Sequence, residues 1–216
     1  MSVLQNPIVG RMKQKIGGVV MSTWKGINVM RGKPLTVANP KTDAQLMRRS
    51  ALTQIVAIAR TIVAAISNGF REQAVKKSAF NAFTGYNLRN AFNYAAPPAA
   101  TIVPADVLVS QGTISPTPIN ALANSSITNL AVFTFDNTAI LPGQSAADTA
   151  RCVLYNEATD KWYAPSTTAL RSTGTLSAVV PASFWSALDI VRGYLYFYNS
   201  TDRKSSDSVN TTDGVA

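Results

Sequence analysis

Ala95-Ala96-Pro97-Pro98-Ala99-Ala100 divides this 216-residue chain into two halves with different hydrophobic periods. Consecutive prolines break helices and remove ladder donors, and small residues pack little, so the stretch reads as a boundary. Before it, apolar residues recur at helical spacing. After it, they come in short runs cut by Gly, Pro, Asn, Asp and Ser. The expected fold class is therefore α+β. Residues 1–95 form a basic hairpin and helical anchoring region, 96–106 a Pro/Ala linker, and 107–216 an antiparallel, immunoglobulin-like β-sandwich.

Upstream of the boundary, Ala44, Met47, Ala51, Ile55, Ile58, Ile62 and Ala65 step by three and four along one helix face. Leu52, Val56, Ala59 and Val63 widen that face, which predicts a largely covered helix. Thr42 followed by Gln45 fits a capping box at its start. Asn68-Gly69 supplies the stop, with glycine in the left-handed conformation. A second helix within Glu72–Tyr94 carries Phe80, Phe83, Leu88 and Phe92 toward the first, giving an antiparallel helical hairpin. Further upstream, Ile16–Arg31 places β-formers on both sides of Lys25-Gly26, the pattern of a β-hairpin, in which Trp24 reads as a core tryptophan under the helices or as an exposed anchor.

Downstream, Val107–Ser110, Ile127–Phe135, Arg151–Tyr155, Lys161–Tyr163, Thr175–Val180, Gly193–Tyr198 and Asp207–Thr211 read as about seven strands. Tyr194-Leu195-Tyr196-Phe197-Tyr198 predicts a central strand with aromatics on both faces. Ala182–Leu188 reads as a short helical crossing, and Cys152 as a buried strand thiol. That cysteine is single, so the chain holds no intramolecular disulfide.

Charge is unevenly spread. Residues 1–95 carry 14 Lys and Arg against two acids, a formal +12, and the remaining residues carry six against nine, a formal −3. This asymmetry predicts an acidic partner for the first half: nucleic acid held by non-specific electrostatics, an anionic surface, or the acidic half of a neighbouring copy. Arg11, Lys13, Lys15, Lys25, Arg31, Lys33, Arg49 and Arg60 are the candidate contacts. Arg49 and Arg60, eleven residues apart, fall within roughly 20° of one another on a helix. By contrast, Arg48-Arg49 and Lys76-Lys77 read as solvated helix ends.

Catalysis is not expected. The chain has no histidine, which removes Ser-His-Asp and Cys-His arrangements and the commonest general base and metal ligand. No metal site, cofactor loop or dinucleotide fingerprint is present, and the expectation is no metal and no cofactor. Asp148, Glu157 and Asp160 leave carboxylate-only glycosidase chemistry formally open, but they sit among turn formers. The longest apolar stretch, Ala51 to Ile66, is interrupted by Gln54 and Arg60 and is shorter than the ~20 residues that a bilayer demands. No h-region follows the first charges, so neither a membrane span nor a signal peptide is expected.

Gly17-Gly18-Val19-Val20, Trp24-Lys25-Gly26, Val29 with Arg31, Asn39-Pro40-Lys41-Thr42, Ala44-Gln45, Arg48, Gly69-Phe70 and Ser78 occur in an order that resembles a family of uncharacterised proteins of about this length from Bacteroidetes and their phages. The resemblance covers mainly residues 10–95, with the Tyr194–Ser208 pair and its Ser-Asp-Ser ending in support. Phage structural proteins share the Asn-Pro-x-Thr-x-Ala-Gln helix start. The resemblance implies no known activity, only a virion or surface component.

The expected function is thus a non-enzymatic structural or assembly protein of a phage virion, made in the host cytoplasm, whose partners are copies of itself or other virion proteins. A bacterial surface or adhesion module and a nucleic-acid-binding accessory protein are the competing readings.

Overall fold

The hairpin expected around Lys25-Gly26 forms the middle of a four-stranded antiparallel sheet. Its strands are β1 (Ser2–Leu4), β2 (Lys15–Ile16), β3 (Val19–Trp24) and β4 (Ile27–Gly32), in the order β1-β4-β3-β2. Trp24 is opposite Ile27 across the turn, and Gly17, at φ +55°, takes the left-handed conformation needed between β2 and β3. The computed structural model describes residues 2–4, 15–24, 27–36, 39, 41–125, 127–137, 141–186 and 188–214. Lys25 and Gly26, expected as the turn, lie outside that set. The chain divides into two compact units, Met1–Lys41 and Thr42–Ala216. In the first, Val19, Val20, Met21, Val29 and Met30 are only half-buried, and no side chain described there is fully buried.

The second unit begins with α1 (Asp43–Thr61), α2 (Val63–Gly69) and α3 (Ala79–Asn90). Its strands are β5 (Phe92–Asn93), β6 (Thr101–Ile102), β7 (Ile119–Ser125), β8 (Leu130–Phe135), β9 (Thr149–Asn156), β10 (Lys161–Tyr163), β11 (Ala169–Leu170), β12 (Thr175–Val179), β13 (Ile190–Asn199), β14 (Lys204–Ser205) and β15 (Val209–Gly214). A six-stranded sheet runs β10-β9-β13-β14, with β11 also on β9 and β15 also on β13. A three-stranded sheet runs β12-β8-β7. Every pairing between these strands is antiparallel, and the isolated bridge between Ile114 and Ser206 is parallel.

β13 lies in the middle and is buried along most of its length. Tyr194, Tyr196 and Tyr198 enter one core with Ile55, Ile58, Ile62, Ile66 and Phe83 of the helices. Leu195 and Phe197 enter the other with Leu122, Phe133, Phe135 and Leu176 of the three-stranded sheet. Strand side chains alternate between faces, so one strand serves both cores. The two antiparallel sheets pack face to face as the expected sandwich does, and helices cover the large sheet's other face, so the fold is α+β. Each fully buried Phe or Leu contributes about 1.5–3 kcal/mol.

Several boundaries differ from the expected ones, each for a physical reason. The helix expected to run through Ala65 is bent by 91° at Ile62. Thr61-Ile62-Val63 are three β-branched residues in a row, which crowd the preceding turn. There the Thr61 hydroxyl donates to the Ile58 carbonyl at 2.7 Å. Thr42 does stand at the N-cap of α1, but its side chain makes no capping bond; Ser78 caps α3 instead, accepting from the Asn81 N–H at 3.1 Å. Gly69 ends α2 without a left-handed φ. A Cβ there would lie 2.8 Å from both the Ser110 Cβ and the Val109 carbonyl, so close approach is what requires glycine.

Residues 96–106 do not separate two bodies. β5 and β6 pair across the prolines, Ala100 is buried, and its carbonyl accepts from Gln54 Nε2 of α1 at 2.8 Å. The helices and the six-stranded sheet share a core within the unit Thr42–Ala216, and the division falls at Lys41/Thr42.

Val107–Ser110, expected as a strand, is a buried crossing segment pinned by side chains: the Val109 N–H donates to Ser208 Oγ at 2.9 Å and Ser110 Oγ donates to the Ser206 carbonyl at 2.6 Å.

Gly193 of β13 faces the Phe133 ring, whose Cε1 would stand 2.5 Å from an added Cβ. Gly193→Ala is expected to cost about 1–3 kcal/mol by overpacking. Gly85, inside α3 with nothing within 4 Å of an added Cβ, is the opposite case. Gly85→Ala should stabilise by up to about 1 kcal/mol. Chemical denaturation of both variants checks the opposed signs.

Candidate interaction surfaces

Of the eight candidate cations, Arg11, Lys13 and Lys25 lie outside the described residues. The sheet register places Lys15 opposite Val20, and Val20 opposite Arg31, so three adjacent strands bring two cations into one row. Arg31 and Lys33 are exposed, and the Lys33 N–H donates to the Gly18 carbonyl at 2.7 Å. On α1, Arg49 and Arg60 are both exposed, as their spacing predicts. Arg48 turns away from its neighbour and covers the Tyr94 ring at 4.1 Å.

The unit boundary sharpens the charge pattern. Met1–Lys41 contains seven basic residues, Arg11, Lys13, Lys15, Lys25, Arg31, Lys33 and Lys41, and no acid. Thr42–Ala216 contains the other thirteen against all eleven acids, a net +2. Most of the chain's +9 therefore belongs to the unit Met1–Lys41, which has no acidic residue to offset it.

The three carboxylates considered for catalysis are each engaged. Asp148 is fully buried: Oδ2 pairs with Arg171 Nε at 3.3 Å and accepts from the Ser145 N–H, while Oδ1 accepts from Asn199 Nδ2. Arg171 also donates to the Thr117 hydroxyl and packs 3.6 Å above the Phe197 ring. Glu157 pairs with Arg192 at 3.1 Å, and Asp160 accepts from the Tyr155 hydroxyl at 3.0 Å. Among the described residues no three acidic or cysteine side chains gather as a metal site would require. No single helix there is long and apolar enough to cross a membrane.

The larger unit also holds a groove of about 440 Å³. Gln54, Ala57, Ile58 and Thr61 of α1 form one wall at helical spacing, with Ile102 beside them. Lys161, Trp162 and Tyr163 of β10 form the floor, and Pro181, Ser183 and Phe184 the far wall. Trp162 is buried and stacks between Tyr155 and Tyr194, at ring separations of 4.6 and 5.3 Å. Among the described residues its buried indole N–H has no acceptor. Sequence reading finds β10 but not the groove, because no local pattern puts α1 beside it.

A family model matches residues 10–211, that of a family of unknown function, DUF6266. The chain belongs to this family. No curated protein and no solved structure matches it. The DUF6266 match extends well beyond residues 10–95 and takes in both units. Two motifs that carry the sequence resemblance meet in the structure: Ser205 Oγ donates to the Gly69 carbonyl at 2.9 Å, and the Phe197 N–H donates to Ser206 Oγ at 2.9 Å. Glu72 accepts from the Ser205 N–H at 2.7 Å and from the Thr113 N–H and hydroxyl. Asp207 accepts from the Gly112 N–H at 3.0 Å. These residues tie the end of α2 to the β13–β15 connection, a structural task.

Burial pushes the Tyr155 phenol up to about 12, helped by the Asp160 carboxylate that accepts its hydrogen bond, and it raises Tyr194 and Tyr196 further. Burial likewise pushes the Cys152 thiol up to about 12. A neutral form favoured by folding contributes stability that is present below the unfolded pKa, ~10 for tyrosine, and lost as pH rises through the folded value. Stability should therefore fall between pH 10 and 12. Tyrosinate absorbance should show these three residues ionising only with unfolding; a normal titration of all seven tyrosines in the folded state would contradict it.

Proposed function

We infer that this chain is a non-catalytic assembly subunit that attaches through its cationic N-terminal sheet to an acidic partner. The observation that carries this reading is the +7 unit without an acid beside a larger unit of net +2. A sheet with half-buried Val and Met residues and no fully buried described side chain is also a poor core by itself, which favours burial against something else. The head-to-tail contact between oppositely charged halves loses support, because the acidic half shares a unit with the basic helices. The partner that fits best is a separate polyanion or acidic protein.

The finer reading, a phage virion component assembled in the host cytoplasm, is supported by the motif resemblance of residues 10–95. The nucleic-acid reading is supported by the charge alone, which would act through phosphate neutralisation and without sequence preference.

The test pairs the full chain with a Lys15→Glu, Arg31→Glu, Lys33→Glu variant. Random-sequence duplex DNA should bind the wild type at low salt, weaken steeply as salt rises, and bind the variant at least tenfold less well. In purified particles, mass spectrometry should find the chain at subunit stoichiometry, with the variant depleted. Incorporation and binding of the variant at wild-type levels would overturn the electrostatic reading.

A further inference from the structure

We propose that the groove along β10 binds an extended peptide segment, which adds to the sheet at its outer edge. This site lies within Thr42–Ala216 and does not depend on the N-terminal reading.

Two observations converge on that ligand class. The floor is made by three consecutive residues, Lys161, Trp162 and Tyr163. Because successive strand side chains point to opposite faces, a cavity touching all three runs along the strand's edge and not over one face. β10 is also the last strand in the order β10-β9-β13-β14, and its pairing is with β9. Its second edge presents main-chain groups of the kind that recruit another strand.

The walls are apolar where an added strand's side chains would lie, with Ala57 and Ile58 on one side and Pro181 and Phe184 on the other. Gln54 of the first wall is bonded to the Ala100 carbonyl, and Lys161 Nζ donates to the Ser183 carbonyl of the second at 3.4 Å. The volume of about 440 Å³ falls in the range of ligand clefts, ~300–1,000 Å³.

The occupant is further limited by what can pair with that edge. A hydrocarbon chain offers no ladder partner. A glycan offers hydroxyls but cannot continue a β-ladder. The rim, with Asp160 beside Lys161, carries both signs, which suits a neutral backbone with polar side chains better than a polyanion.

The experiment uses the full chain labelled with ¹⁵N. The probes are acetylated, amidated heptapeptides with Val, Leu or Phe at alternate positions and Thr or Lys between them, together with N-methylated counterparts, maltoheptaose and palmitate. The three tryptophan indole signals are assigned with Trp162→Phe. At least one peptide should shift the Trp162 indole signal, its N-methylated form should not, and Ala57→Arg should weaken binding at least tenfold with Tm unchanged. Ala57 is exposed on α1, so arginine there fills the groove without entering the core. The proposal fails if no peptide shifts the signal at about 1 mM, if methylated and unmethylated peptides bind alike, if Ala57→Arg binds as the wild type does, or if only maltoheptaose or palmitate occupies the site.

Discussion

Burial of β13 on both faces is the constraint on which the larger unit depends. A strand in that position must satisfy its backbone laterally, and it does so against β9 on one side and β14 and β15 on the other. It must also supply apolar or satisfied side chains in both directions. The three tyrosines on the helix side include two whose hydroxyls reach carbonyls, Tyr194 to Pro104 at 2.6 Å and Tyr196 to Ala65 at 3.2 Å. Those bonds let polar tips sit in a core that would otherwise exact a desolvation cost. On the opposite face, Gly193 leaves room for Phe133, so the strand sheet can approach closely. The helices and the three-stranded sheet meet through this strand and through β9, whose Val153 and Tyr155 join the helix core and whose Cys152 and Leu154 join the other.

That strand was legible in the sequence because alternation within Tyr194–Tyr198 is a local property. β10 was legible at its observed bounds for the same reason. What could not be read locally is whatever pairing imposes. β7 is Ile-Asn-Ala-Leu-Ala-Asn-Ser, with one β-branched residue, and it is a strand because β8 lies beside it. The prolines at 97 and 98 gave a true break in period but a false break between bodies, since propensity reports that a helix stops and not what the chain packs on next. Of the candidate surfaces, the cations were visible in composition. The groove was not, because it is made by residues more than a hundred positions apart.

The residues shared with the family resemblance illustrate how recognition can be about fold. Gly69, Glu72 and the Ser205-Ser206-Asp207-Ser208 run form one hydrogen-bonded junction, in which side-chain oxygens cap backbone donors that no ladder reaches. Gly112 belongs to it by exclusion: an added Cβ would lie 2.0 Å from the Ser205 carbonyl and 2.5 Å from Glu72 Oε1. These hydrogen bonds and close contacts account for the motif structurally, so its presence says little about chemistry.

The two proposed surfaces differ in the physics they would use, and that difference bears on how the molecule would work. Attraction to a +7 unit is long-ranged, decays over ~8 Å at physiological salt and carries little geometric information. A groove at a strand edge acts only on contact, and it selects through ladder bonds and apolar walls. On the proposed reading, the first would bring the chain to its partner and the second would fix which segment it holds. Buried groups such as Asp148 and Arg171 take no part in either, because their donors and acceptors are turned inward to hold β9, β13 and the Arg171 turn together. Binding specificity in this chain would then reside at the margins of a core that is itself fully committed to architecture.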